Sequence, residues 1–226
     1  ALAVVILRLA SQVTKWTADS DRRLHRVYCY LSGALDQVLT GELATSGREM
    51  ARIQAWPDAD LNGCHLTTKS TSGFFLNIVG SNGRIFPLGW GSKKQGATAQ
   101  HTAEAELISL ASCLRSELIP VQSLMQEILQ RPVEAELLED NAATIIAVNR
   151  GYSLAMRHVR RTQRTSLGLI HDMITEEPEE GQGRIRLIKA STADHLGDAF
   201  TKELDPRAFK DAMTAIGMRT MSEDTA

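Results

Sequence analysis

The sequence predicts an α/β fold: a mixed five-stranded sheet, three antiparallel strands first and parallel βα units after them, flanked by helices and preceded by a helical hairpin. Three observations predict it. Residues 1–35 carry apolar side chains at helical spacing, residues 51–94 change to a period of two around a glycine-rich turn, and beyond residue 102 helical stripes alternate with single short strands. The resulting order, β-β-β-α-β-α-α-β-α, requires hairpin pairing early and crossover connections late.

Each element follows from local pattern. Ala3, Leu7, Ala10, Val13 and Thr14 predict a first helix over 3–16; Leu24, Val27, Tyr28 and Leu31 predict a second, with Asp19 and Ser20 as caps and Gly33 as its end. Apolar content falls through Thr40 to Arg48, which sets the expected boundary of the main domain at 47. Strands are expected at Ile53–Trp56, Phe74–Val79 and Ile85–Trp90, the last two joined by Gly80-Ser81-Asn82-Gly83 as an antiparallel hairpin. Pro57 predicts a bulge or an early end of the first strand, because proline has no N–H for a ladder bond. Ala103, Leu107, Leu110, Leu114, Leu118, Val121, Met125 and Ile128 form one stripe of a long core helix over 102–129, ended by Arg131-Pro132. A strand at Val133–Leu138, helices at Ala142–Asn149 and around Leu154–Glu177, a strand at Arg184–Ile188 and a short helix at His195–Leu204 complete the series. The remainder after Pro206 has an amphipathic face of Phe209, Met213 and Ile216.

Composition narrows the function classes. The chain of 226 residues is long enough to bury a core, and 43% hydrophobic with 23% charged residues excludes wholesale disorder and fibrous repeats. A net charge of -2 means that nucleic-acid binding must rest on local basic patches. Cys29, Cys64 and Cys113 lie far apart without metal-ligand spacing, so a reducing, intracellular compartment is expected and secretion is not. The apolar run Ala1–Ala10, interrupted by Arg8, is about half the roughly 20 residues of a membrane span, so no membrane partner is expected. The first residue is Ala rather than Met, and the chain is read as an excerpt of a longer one.

Acidic residues fall at the ends of separate elements: Asp58 after the first strand, Glu104 and Glu106 at the start of the long helix, Asp140 after the fourth strand, and Asp198 in the last helix. Carboxylates gathered at one point repel and are costly to desolvate, and a hard cation with oxygen ligands is the simplest way to hold them. Two such ions can activate a water and stabilise the leaving oxygen of a phosphoryl displacement without a Ser, Cys or His nucleophile. Each acid has a structural competitor. Asp60 shares a strand face with Asp58, Glu104 and Glu106 flank the apolar stripe at comparable angles, Asp140 or Asn141 can cap the following helix, and Asp194 is expected to cap the last one.

The strings Asp58-Ala59-Asp60, Lys69-Ser70-Thr71-Ser72-Gly73-Phe74, Trp90-Gly91-Ser92-Lys93-Lys94-Gln95, Thr102-Ala103-Glu104-Ala105-Glu106, Glu139-Asp140-Asn141 and Asp198-Ala199-Phe200-Thr201-Lys202 together resemble the ribonuclease H domain of copia-type retrotransposon Pol polyproteins. Order and spacing match over about residues 50–205, and the hairpin of 1–35 resembles the C-terminal end of the reverse transcriptase in such polyproteins. The resemblance implies an RNase H-like domain at 47–205, preceded by a reverse-transcriptase tail at 1–46 and followed by a C-terminal tail at 206–226. It further implies hydrolysis of the RNA strand of an RNA–DNA hybrid, and two Mg²⁺ ions, replaceable by Mn²⁺, on Asp58, Glu106, Asp140 and Asp198. The hybrid and the reverse transcriptase of the same polyprotein are the implied partners, with no small-molecule cofactor.

A hybrid is polyanionic, so basic and hydroxyl groups near the acids are the expected contacts: Lys69, Ser70 and Ser72 before the second strand and Lys93-Lys94 after the third. Arg157-His158-Val159-Arg160-Arg161-Thr162-Gln163-Arg164 is the densest basic run. On one helix it would present Arg157, Arg160, Arg161 and Arg164 together, and Arg157, His158 and Arg161 are taken as the nucleic-acid contacts. Such sequences tend to carry an acid where this chain has Arg160. His158 is a candidate to orient a phosphate or water, and His195 to assist product release. The alternative reading is a catalytically silent module that keeps the fold and binds nucleic acid without cutting. A polymerase is excluded, since no aromatic-x-Asp-Asp string occurs.

Overall fold

The computed structural model describes residues 2–43, 51–63 and 67–221. Cys64 and the expected boundary at 46/47 lie outside these residues.

Five strands, β2 (Arg52–Asp60), β3 (Thr71–Val79), β4 (Ile85–Lys94), β5 (Ala135–Glu139) and β6 (Ile185–Lys189), form one sheet in the order β4-β3-β2-β5-β6. The first three pair antiparallel, and β5 joins β2 and β6 in parallel, as expected of an RNase H-like sheet. A separate two-stranded ribbon, β1 (Gln37–Leu39) with β7 (Met218–Thr220), ties the N-terminal region to the C-terminal one.

The chain enters through α1 (Leu2–Ala10), a short 3₁₀ turn at Val13–Lys15, and α2 (Ala18–Ser32). The expected first helix thus ends early, and the cap of α2 is Thr17, reciprocally bonded with Ser20, rather than Asp19 or Ser20. Gly33 closes α2 as expected.

β2 continues through Pro57 to Asp60 without a register shift against β3, contrary to the expected break. The Ile53 N–H points to the β5 side, donating to the Glu134 carbonyl, and alternation turns Pro57 to that same side. Pairing of β2 with β5 ends at Ala55, so Pro57 removes no ladder bond. The register shift in the sheet lies instead between Leu76 and Asn77.

The long helix forms as α3 (Thr102–Cys113) and α4 (Ile119–Leu129), joined by a π-helical turn at Leu114–Leu118. The widened turn falls directly before Pro120, whose ring would otherwise meet the carbonyl one turn back. α5 (Ala142–Arg150) follows β5.

The helix expected at 154–177 is broken into α6 (Val159–Thr162) and α7 (Leu167–Thr175). Between them Arg164 adopts a left-handed φ of 54°, and the Ser166 side chain caps a new start. Met156 and Val159 are the buried apolar side chains between 152 and 164, too few for a stripe that could hold one continuous helix.

The core lies between the sheet and α3, α4, α5 and α7. Ile53, Leu107, Leu110, Leu114, Leu118 and Leu137 are fully buried there, each contributing roughly 2 kcal/mol. On the opposite face of β3, Phe75 stacks on Phe200 with ring centroids 5.9 Å apart. Ala3, Trp56, Met213 and Ile216 pack around them, bringing α1 and α8 (Pro206–Ala215) against the sheet. Gln122 of α4 donates to the carbonyls of Val133 and Gly183, which anchors the starts of β5 and β6.

Candidate metal centre

Strand pairing and helix placement bring the acids together. β2 and β5 are parallel neighbours, so the ends of both strands, Asp58 and Glu139-Asp140, lie at one edge of the sheet, and α3 starts above that edge. Ser109 of α3 donates towards the carbonyls of Asp58 (2.7 Å) and Gly73 (3.2 Å), fixing the helix one turn beyond Glu106 to both strands. Carboxylate oxygens of Asp58, Glu106 and Asp140 then all lie within 4.8 Å of one another. Glu106 and Asp140 border a cleft of about 400 Å³, lined also by Asp60, Asn141 and Lys202.

Each pair of competing acids is separated by its surroundings. Asp58 is 1% exposed, whereas Asp60 is half-buried and turns to Arg8, 3.9 Å away. Both Glu104 oxygens are used, one by the Gln100 N–H (2.9 Å) and one by His158 Nε2 (3.1 Å). Glu106 is also buried, but its Oε2 has no hydrogen-bond partner and its carboxylate faces Asp58 and Asp140. Asn141, not Asp140, caps α5, accepting from the N–H groups of Ala143 and Thr144. Asp194 caps nothing: the expected last helix is a 3₁₀ turn, Leu196–Phe200, without a side-chain cap, and Asp194 closes a separate turn at Thr192–Asp194.

That 3₁₀ turn carries Asp198 to the other side of Asp58. It can approach because two glycines lack a Cβ: one added at Gly73 would lie 2.8 Å from the Phe200 carbonyl oxygen, and one at Gly197 would lie 2.6 Å from the Trp56 carbonyl oxygen. The Thr201 hydroxyl donates to Asp58 Oδ2, and Lys202 Nζ lies 2.6 Å from Asp198 Oδ1 and 3.4 Å from Asp58 Oδ1.

Burial sets the electrostatics first, and crowded like charges add to it. Burial raises the Asp58 carboxyl to about 6; the Lys202 charge pulls it down and the Asp198 charge pushes it up. The Glu106 carboxyl is raised strongly, first by burial and then by the charges of Asp58, Glu139 and Asp140. A cluster that favours bound protons in this way is one that divalent cations can stabilise.

Three participants were missed as such in the sequence. Glu139, fully buried beside Asp140, gives one oxygen to the Asn141 N–H and leaves the other unpartnered. Thr201 and Lys202 engage Asp58 directly. All three stood inside the quoted strings, but nothing in their spacing distinguished them from neighbours.

The expected nucleic-acid contacts fall into two groups. Ser72 lies within β3 and Lys93 and Lys94 within the end of β4, paired across the sheet with Ser72 and Thr71. Ser70 is buried, its hydroxyl accepting from the Asn62 N–H; Ser72 accepts from Gln95; and Lys69 donates to the Gly96 carbonyl. The basic run does not form the expected common helical face, because Arg157 precedes α6 and Arg164 follows it. Arg157 and Arg161 are exposed, and His158 is held on Glu104.

No protein-family model matches the chain. Over 219 residues, 96% of the chain, it is 29% identical to the retrovirus-related Pol polyprotein from transposon RE2 and 26% identical to that from transposon RE1, both of Arabidopsis thaliana. The chain spans about 14% of the length of each. Nearly all of it is therefore similar to one stretch of retroelement Pol polyproteins, as its motif strings implied. Among solved structures it is similar to RNase H1 of the halophilic archaeon Halobacterium salinarum (17% identity, 71% of this chain and 98% of that one, TM-score 0.39). A second similar structure is LC11-RNase H1 isolated from compost by a metagenomic approach (16%, 73% and 99%, TM-score 0.44).

Proposed function

We propose that this chain is the ribonuclease H region of a retroelement Pol polyprotein, a divalent-metal-dependent endonuclease that hydrolyses the RNA strand of RNA–DNA hybrids. The observation that carries the reading is the buried Glu106 carboxylate, one oxygen of which has no partner, gathered with those of Asp58 and Asp140. An unpartnered buried carboxylate oxygen is costly, and three carboxylates drawn from different elements to within 4.8 Å of one another make sense as an oxygen-ligand set for a hard cation.

In this reading Asp58, Glu106 and Asp140 hold one Mg²⁺ or Mn²⁺, and Asp58 with Asp198 holds a second. Bound there, the ions supply a water activated for attack and charge stabilisation on the leaving oxygen. Thr201 fixes the rotamer of Asp58, and Lys202 offsets the charge of Asp58 and Asp198. Glu104 belongs to the support of the site, holding His158. Lys93, Lys94, Arg157 and Arg161, with Lys69, Ser72 and His158 around them, contact the phosphates of the hybrid without reading its sequence, whereas the expected contact Ser70 is fully buried and supports the loop instead. Residues 1–46 are the tail of the reverse transcriptase, which is the partner in the same polyprotein, 47–205 the nuclease and 206–226 a C-terminal tail; the protein works inside the cell.

Incubation of the purified chain with a labelled hybrid tests this. RNA is cut in Mg²⁺ and in Mn²⁺ but not in chelator, duplex DNA is left intact, and Asp140→Asn abolishes cutting while keeping the fold. Tight binding of the hybrid with no cleavage under any metal would instead establish a silent binding module.

A further inference from the structure

His195 has no role in the reading above, yet it is 5% exposed and stands against the acids. One of its ring nitrogens and carboxylate oxygens of Asp58 and Asp198 lie within 4.8 Å of one another. Nε2 is committed: it lies 3.1 Å from the Leu138 carbonyl oxygen, which can only accept, so Nε2 carries the proton. In the neutral ring Nδ1 then holds the lone pair, and this buried nitrogen has no hydrogen-bond partner. A carbonyl that fixes the tautomer from behind while the second nitrogen is left open is the arrangement of a metal-ligating histidine.

The surroundings are built for this approach. Trp56 packs edge-on to the imidazole with centroids 5.6 Å apart, which holds the ring plane. A Cβ on Gly197 would lie 2.9 Å from both Asp58 Cβ and His195 Cε1, so a larger residue there would push the two apart. Ligands around one cation at about 2.1 Å lie at most about 4.2 Å from each other, which small rotamer changes reach from the separations here. The same two carboxylates already stabilise the Lys202 ammonium, a positive charge on a flexible and partly exposed stem that can withdraw.

We propose that His195, through Nδ1, is a ligand together with Asp58 and Asp198 for one of the divalent cations, giving that position a mixed nitrogen and oxygen donor set. The inference rests on the proposed cation role of Asp58 and Asp198. Imidazole nitrogen favours first-row transition ions over Mg²⁺, so this position takes Mn²⁺ ahead of Mg²⁺.

Pulsed electron paramagnetic resonance of the full chain loaded with Mn²⁺ tests it without reference to activity. The wild type shows the ¹⁴N coupling of a directly bound imidazole; His195→Gln loses that coupling and about tenfold in Mn²⁺ affinity, with little change for Mg²⁺. His195→Phe, which keeps a ring against Trp56, serves if the Gln variant does not fold. Mn²⁺ bound by the wild type with no nitrogen coupling, or coupling that persists in the variant, overturns the inference alone. Absence of any Mn²⁺ binding overturns it together with the proposed function.

Discussion

Glu104 and Glu106 are two residues apart on one helix, both buried, and differ in what their oxygens meet. Glu104 is satisfied by a backbone N–H and an imidazole; Glu106 keeps an orphan oxygen beside two other carboxyls. Replacing Glu106 with Gln therefore removes a proposed metal ligand, and hybrid cleavage at saturating Mg²⁺ falls by about a hundredfold or more, the equivalent of several kcal/mol at about 1.4 kcal/mol per tenfold. Glu104→Gln costs about 1 kcal/mol of stability through its weakened bond to His158 and leaves the rate near wild type. Steady-state cleavage and urea unfolding of the two variants separate these effects, and equal losses of rate would contradict the assignment. The sequence could not separate the two glutamates, since helical phase places them symmetrically about the apolar stripe; hydrogen-bond partners from residues 100 and 158 distinguish their surroundings.

At the scale of elements, what was legible was what local pattern encodes. The strand at Phe74–Val79, buried on both faces, the turn at Gly80–Gly83 and the stripe from Ala103 to Leu118 form as expected, because burial rewards each pattern locally, whereas Ile128 at the far end of the expected stripe is exposed. Pro57 misled because a proline's cost depends on whether a neighbour strand pairs with it, and the pairing of β2 with β5 ends two residues short, at Ala55. The basic run misled because periodicity of charge does not hold a helix without an apolar face. Legible least of all was the 3₁₀ turn of Asp198, whose position depends on the missing side chains of Gly73 and Gly197 across the sheet. Gly197→Ala puts a methyl against the Trp56 carbonyl and Asp58, so the turn must retreat. Thermal unfolding then shows a loss of about 1–3 kcal/mol, and hybrid cleavage falls further than stability alone explains. Unchanged cleavage would mean that Asp198 need not approach Asp58.

For the whole molecule, the buried carboxyls make stability depend on pH and on cations together. Burial pushes Glu139 from 4.5 up to about 8, with the Asn141 N–H drawing it back and the Asp140 and Asp58 charges adding to the rise; Glu106 moves the same way. Between those values the folded, metal-free chain keeps protons that the unfolded chain has released. The folded state binds more protons there, so its stability falls as pH rises from 4.5 towards 8. In chelator the melting temperature is therefore higher at pH 5 than at pH 8, and Mg²⁺ at pH 8 recovers the difference. A melting temperature that climbs with pH in chelator, or one indifferent to Mg²⁺, would mean that the acids are not held at close range.

A crystal soaked in Mn²⁺ interrogates that gathering directly. An anomalous difference peak is predicted within bonding distance of Asp58, Glu106 and Asp140 together. A map with no ion bridging these three carboxylates at a Mn²⁺ concentration that supports cleavage would contradict the account.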